Sequence, residues 1–374
     1  MRELINLYGL TRSQLEELFV AQGLQSFRGR QLMKWIYHSG ISDFSEMSDL
    51  PLVTRDWLFQ HAELGLPNVV FRQESTDGTV KWAIQVHEDE CVEMVLIPEK
   101  GRNTLCVSSQ VGCSLDCSFC STGKQGFNGN LSAAEIVGQL LLANQYLESK
   151  NEVVTNVVFM GMGEPLLNFE SVLSAANIIM DDMAFGLSKR KVTISSSGVV
   201  PAIEKLSRYT DCSLAISLHA PNDVLRDQLV PINRRYPIDT LLAACRKYLN
   251  TLGPHRKLLF EYTLIDHVND QTSHAQELAN LLSGIPCKIN LIPFNDFEHS
   301  GYRTPARSRV FAFQSVLIER GYTAMIRSTR GEDISAACGQ LAGNVRDRTK
   351  RSKRYRESRA PSSILVSENR RVSS

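Results

Sequence analysis

The sequence predicts an α/β protein: a partial or full β/α barrel, preceded by a small helical N-terminal region and a short β extension. Two observations carry this. From about residue 104 onward, apolar strand-like runs alternate with helical stretches, the pattern of parallel βαβ units. The first sixty-odd residues instead carry only helix signals, and three strand-like runs on polar turns follow them. A doubly wound open sheet is the alternative that the alternation alone leaves open.

At the N-terminus, Thr11 is placed to cap the helix SQLEELFVAQGL, and FRGRQLMKWIYHSG repeats apolar residues at helical spacing with a closing glycine. Trp35, Ile36 and Tyr37 on that second segment read as core, while Arg28, Arg30 and Lys34 offer a weakly signalled RNA-facing surface. TVKWAIQVH, ECVEMVLIP and NTLCVSSQVG read as strands. The strand candidates beyond are TNVVFMG, KVTISSS, CSLAISLH, KLLFEYTLI, KINLIPF and YTAMIRS. Helical stretches between them include SAAEIVGQLLLANQYLES, IDTLLAACRKYLNTLG, SHAQELANLLSG and SRVFAFQSVLIERG. The expected division is a helical accessory domain at 1–65, a β extension at 66–101, a barrel at 102–343 and a basic flexible tail at 344–374.

With 374 residues, the chain can bury a core domain of roughly 200–250 residues with smaller additions. No apolar run of about 18 residues suggests a membrane span, and the N-terminus lacks a secretory h-region, so a cytoplasmic location is expected. The whole-chain charge of +1 hides an asymmetry: ten Lys/Arg against three acids between Arg346 and Ser374 give the tail +7 and leave −6 on the body. Such a tail fits a polyanionic partner, nucleic acid first, as well as it fits a merely solvated segment. Nine cysteines in a cytosolic chain do not suggest a disulfide framework. Cys91, Cys212, Cys245 and Cys287 lie among apolar residues and read as core thiols.

Active sites of β/α barrels sit at the carboxyl ends of the strands, which singles out Cys113, Gly163, Glu164, Ser195, His219 and Asn295 by position. Among them, VGCSLDCSFCSTGKQG places Cys113, Cys117 and Cys120 in a CxxxCxxC loop. Three thiolates on one loop select zinc, copper(I) or an iron–sulfur cluster. Structural zinc would need a fourth ligand, for which Cys106 is the conceivable partner. A 4Fe-4S cluster on three cysteines leaves one iron open to substrate.

This spacing resembles the signature of radical S-adenosylmethionine enzymes, with Phe119 matching the frequent aromatic before the last cysteine. The resemblance implies that the open iron chelates the amino and carboxylate groups of S-adenosylmethionine. Gly163 and Glu164 of GMGEP resemble the segment receiving the amino group. Ser195, then Ser217, Leu218 and His219 of SLHAPND, and Asn295 of IPFN match further cofactor contacts. More narrowly, FRGRQLMKWIY, CVSSQVGCSLDCSFCSTG, FMGMGEPLLN, SLHAPND and GEDISAACGQL resemble the RlmN family, over about Ser26 to Gly343. Those enzymes methylate carbon 2 of an adenine in 23S rRNA and of one beside the anticodon in certain tRNAs.

The resemblance also supplies a chemistry. Carbon 2 of adenine is electron-poor, so direct attack on a sulfonium methyl is implausible, whereas a nucleophilic carbon radical can add to it. Cys338 matches the cysteine that accepts a methyl from a first S-adenosylmethionine. A deoxyadenosyl radical from a second one takes hydrogen from that methyl, and the methylene radical adds to adenine. Glu93 matches the base that removes the proton from carbon 2, and Cys106 the thiol that releases product by forming a disulfide with Cys338. Taken singly, Glu93 could be a solvent-facing strand residue, Cys106 a buried strand residue and Cys338 a packing thiol. The implied reaction uses one 4Fe-4S cluster, two S-adenosylmethionine per turnover, rRNA and tRNA substrates, and an electron donor such as a flavodoxin/reductase system, in a monomer. The alternatives are the sister family acting on carbon 8 and a zinc-stabilised, non-catalytic RNA-binding protein.

Overall fold

In the computed structural model, the described residues are 4–87, 90–253, 255–297, 300–337 and 339–341. Cys338 and the basic tail, which the sequence singles out, lie outside them.

The N-terminal helices form where the sequence places them. Thr11 caps α1 (Arg12–Ala21) in a reciprocal box with Gln14, and α2 (Phe27–Tyr37) and α3 (Leu52–His61) follow. Leu32, Met33 and Ile36 are buried at helical spacing, and the Tyr37 hydroxyl donates to the Tyr8 carbonyl at 3.0 Å. A two-residue parallel pair, β1 (Ile5–Asn6) with β2 (Ala62–Glu63), ties the two ends of this segment together.

The sheet starts one strand earlier than expected, because β3 (Asn68–Glu74) pairs antiparallel with β4 (Val80–His87). β3 is exposed along almost its whole length, so it lacks the apolar alternation by which a strand is read from sequence. β5 (Glu90–Glu99) and β6 (Arg102–Cys106) continue the antiparallel meander. From β6 the ladder becomes parallel through β9 (Asn156–Phe159), β10 (Val192–Ser196), β11 (Ser213–Ser217), β12 (Leu258–Leu264), β13 (Cys287–Pro293) and β14 (Thr323–Ile326).

Each of these parallel strands lies beside its predecessor in the sheet order β14-β13-β12-β11-β10-β9-β6. A doubly wound sheet would reverse direction from its first strand, and this one does not. β14 and β3 are not paired to each other, so the architecture is a partial barrel with an antiparallel extension on its first strand. The crossovers carry α5 (Ala133–Glu148), α6 (Phe169–Met180), the short α7 (Val200–Leu206) and α8 (Asp223–Leu229), then α9 (Ile238–Thr251), α10 (Thr272–Leu281) and α11 (Arg307–Glu319). Cys91, Cys212, Cys245 and Cys287 are all buried, as core thiols should be.

The run NTLCVSSQVG is not one strand. It leaves the sheet after Cys106, and Gln110–Gly112 (β7) forms a separate hairpin with Phe127–Asn130 (β8). The buried side chain of Gln139 explains the break: its Oε1 accepts from the Ser108 N–H at 2.8 Å and its Nε2 donates to the Ser108 carbonyl at 3.0 Å. A side-chain amide thus substitutes for a neighbouring strand and frees the chain to turn. The cysteine loop therefore lies between the two arms of the β7–β8 hairpin rather than directly after the barrel's first strand. Among the described residues no helix is long and apolar enough to cross a membrane.

Candidate active site at the barrel mouth

The cysteine loop is set by its flanks. Gly112 has φ 69°, and a Cβ there would stand 1.8 Å from the Gly126 carbonyl oxygen, so only glycine lets the two arms close. The Cys113 N–H then donates to that same carbonyl at 2.8 Å, and the Cys120 N–H to the Cys117 carbonyl at 3.2 Å. Cys120 sits immediately before α4 (Ser121–Gln125).

All three thiols are held above the ordinary cysteine value. Burial is the leading cause for each, with repulsion from the neighbouring thiols adding to it for Cys113 and Cys117; Cys117 is pushed up to about 12. Three buried thiols on one loop are soft ligands whose protons a bound cation would displace. Among the described residues no three His, Cys, Asp or Glu side chains converge closely enough for a single metal ion.

Around the triad stand the strand ends. Gly163, at φ 98°, packs where a Cβ would meet the Gln110 side chain at 2.5 Å. The buried Glu164 accepts from the Leu166 N–H at 3.1 Å and the Ser197 N–H at 2.8 Å, knitting the ends of β9 and β10 together, and burial raises its pKa. Ser195 and Ser217 stand at the carboxyl ends of β10 and β11, their hydroxyls 3.4 Å apart. Leu218 is buried, and its carbonyl accepts from Arg226 Nε at 3.0 Å. His219 takes a left-handed backbone at φ 60°, its Nδ1 accepts from the Thr263 N–H at 3.0 Å, and its ring meets the edge of Phe119 with centroids 4.7 Å apart. Asn295 Oδ1 accepts from the Thr329 hydroxyl at 3.0 Å.

A cavity of about 750 Å³ runs through the barrel, and Cys106, Asn295, Ala336 and Ala337 line it. Val95 and Ile97 line it as well, so Glu93, two residues back on β5, belongs to the same face of its strand. The Glu93 side chain is only 13% exposed and pairs with Lys81 Nζ at 3.2 Å, so it is not a solvent-facing strand residue.

The chain around Cys338 is fastened on both sides. Upstream, Asp333 accepts from the Ser75 hydroxyl at 2.5 Å and the Thr76 N–H at 3.1 Å, and Asp77 accepts from the Gly331 N–H at 3.1 Å. Downstream, the Ser121 N–H donates to the Gly339 carbonyl at 2.8 Å and the Thr122 hydroxyl to the Leu341 carbonyl at 2.6 Å. The flanks of Cys338 are thereby joined to the β3–β4 turn and to the helix that opens at Cys120.

Two residues of this region were not legible beforehand. Arg226 is fully buried and donates to the carbonyls of Ser197, Leu218 and Ser217 at 2.7–3.1 Å and to Asn233 Oδ1 at 2.8 Å, bracing three strand-end carbonyls at once. Its helix, DVLRDQL, reads as an ordinary charged surface turn. Lys81 sits in an alternating strand pattern that gives no hint of its partners.

Comparisons with known proteins agree with this geometry. Residues 5–64 match the family model described as the ribosomal RNA large subunit methyltransferase N-terminal domain, and residues 107–279 match the radical SAM superfamily. A protein of Pseudomonas fluorescens (strain SBW25) named dual-specificity RNA methyltransferase RlmN is 54% identical over 354 residues, covering 94% of this chain and 93% of its own. A Pseudomonas putida F1 protein of the same name is 55% identical over 355 residues, with the same shares covered. The crystal structure of a radical SAM methyltransferase from Sphaerobacter thermophilus superposes with a TM-score of 0.83 at 42% identity, covering 90% of this chain and 99% of that one. Superfamily membership implies S-adenosylmethionine and a 4Fe-4S cluster as cofactors. The chain belongs to the RlmN family of radical S-adenosylmethionine RNA methyltransferases.

Proposed function

We propose that this protein methylates carbon 2 of adenine in 23S rRNA and in tRNA next to the anticodon, through a methyl-cysteine on Cys338. The observation that carries the reading is the shared cavity: Cys106 and Ala337, the neighbour of Cys338, line the same space, and the chain on the far side of Cys338 is bonded to the cysteine loop's helix. A thiol meant to displace the Cys338 sulfur from product has to open onto the space that the Cys338 loop borders. The relatives' dual-specificity name supports the two RNA classes.

Cys113, Cys117 and Cys120 would hold the 4Fe-4S cluster, and Gly163, Glu164, Ser195, Ser217, Leu218, His219 and Asn295 would line the cofactor's seat. Together with S-adenosylmethionine the cluster supplies a carbon-centred radical, two cofactor molecules being consumed per turnover. The protein's own part is nucleophilic and acid–base. Cys338 attacks the sulfonium methyl as a thiolate, Glu93 receives the proton from carbon 2, and Cys106 attacks the Cys338 sulfur to free the RNA. An external reductant of the flavodoxin class and a monomeric, cytoplasmic state complete the reading.

The two product-side thiols should behave differently. Cys338→Ala should bind RNA yet make no methylated adenine, while Cys106→Ala should stall as a covalent protein–RNA adduct. A denaturing gel before and after nuclease, with mass mapping of the Cys338 peptide, reads both. A folded, cluster-loaded Cys106→Ala protein free of RNA removes the release role. Replacing Cys113, Cys117 or Cys120 with Ala should abolish iron binding and 5′-deoxyadenosine formation; parent-level cleavage after anaerobic reconstitution excludes the cluster assignment.

A further inference from the structure

Lys81 is a buried lysine, 8% exposed, on β4 between the buried residues Val80 and Trp82. A buried ammonium is costly unless paired, and this one has two partners at once. Its Nζ lies 3.2 Å from Glu93 Oε1 and donates to the Ser335 carbonyl at 3.4 Å. One cation therefore touches both the candidate base and the loop that leads to Cys338.

Holding that loop does not require Lys81. The same loop is already bonded through Asp333 to Ser75 and Thr76, and through the Gly331 N–H to Asp77. What Lys81 adds is a fixed link between the loop and the carboxylate. The reaction has a reason to need one. The Cys338-borne carbon bonds to carbon 2 of adenine, and the proton then leaves from that same carbon atom. A base must come within about 3 Å of the proton it takes. The separation of Glu93 from the Cys338 loop therefore has to match one atom's two bonds, and such alignment is where much rate enhancement originates.

We propose that Lys81 is a positioning residue for the deprotonation step: it clamps the Glu93 carboxylate to the Cys338 loop, so that the carbon 2 proton passes to Glu93 while the bond's electron pair stays on the adenine adduct. The inference rests on the proposed function above. Without the clamp, the adduct forms but loses its proton slowly, so that 5′-deoxyadenosine is released while the covalent adduct accumulates ahead of product.

The test uses the full-length, anaerobically reconstituted enzyme and an RNA substrate, and reads the ratio of 5′-deoxyadenosine to methylated adenine. Lys81→Met should raise this ratio by roughly tenfold or more, a part of the roughly 10²–10⁴-fold that general acid–base catalysis contributes. Deuterium at carbon 2 should slow product formation more in this variant than in the parent. The Cys338 peptide should still carry its methyl group, and Lys81→Arg should restore part of the coupling. A merely structural lysine would lower cleavage and product together and leave the ratio and the isotope effect unchanged, which overturns the proposal. Should Lys81→Met lose its iron, Lys81→Gln takes its place with the same two expectations. Glu93→Gln is the reference. A raised ratio there beside an unchanged one in the lysine variants overturns the role of Lys81 alone. An unchanged ratio in Glu93→Gln removes the base itself, and the proposal with it.

Discussion

His219 shows how one residue is committed by its surroundings. Its Nδ1 accepts from the Thr263 N–H at 3.0 Å, which leaves the proton of the neutral ring on Nε2. Its own carbonyl accepts from Asn269 Nδ2 at 2.8 Å. Burial, with the positive charge of Arg226 second, pushes its pKa down to about 3. Between that value and the ordinary histidine value near 6.5, the unfolded chain binds a proton that the folded chain refuses. Stability should therefore fall as pH drops below about 6.5, and His219→Asn should flatten that dependence. Melting temperatures across pH 5.0–7.5 for both proteins measure it, and equal slopes contradict it. At this scale the sequence was informative where a motif stood whole, as in SLHAPND, and silent where a role arises from long-range contact. Lys81 is such a case, since its partner Ser335 lies 254 residues away.

Among elements, the cysteine loop depends on backbone that no side chain reveals. Its closure requires Gly112 at φ 69° against the Gly126 carbonyl. Gly112→Ala must displace one arm of the β7–β8 hairpin, at a cost of about 1–3 kcal/mol for the strained backbone alone, before counting the clash. The expected result is a lower melting temperature together with iron content well below the parent's; full iron loading at parent stability would show that the loop tolerates the shift. Strands were read correctly where apolar residues ran continuously, as in β9 and β11, because both faces of a parallel sheet are covered. β3 escaped notice because it is an exposed edge, and the break after Cys106 because it depends on Gln139, on a helix further along the chain.

For the whole molecule, charge is divided between body and tail. If the +7 carried by Arg346–Ser374 meets RNA phosphates, truncation at Asn344 should weaken binding uniformly across RNA sequences and flatten its dependence on salt, with cofactor cleavage intact. Binding isotherms at several salt concentrations decide the matter, and an unchanged slope denies the tail a phosphate-binding role. The parallel βαβ build of the barrel could be anticipated from the alternation of elements, whereas the strand order and the hairpin that carries the cysteine loop could not. That the barrel stays open was expected only through the family resemblance, because closure depends on whether β14 finds a partner, which no local pattern encodes.

The chain beyond β14 is fastened at Asp77 and Asp333 on one side and at Ser121 and Thr122 on the other, rather than laddered onto the sheet as one more strand. The described residues on either side of position 338 therefore take their places from two anchors in different parts of the chain, the β3–β4 turn and the helix after Cys120. A lengthened or shortened segment between the anchors would re-aim the thiol while leaving the strands of the barrel as they are. A segment held by such contacts rather than by a ladder can change length without any strand of the barrel changing its partner.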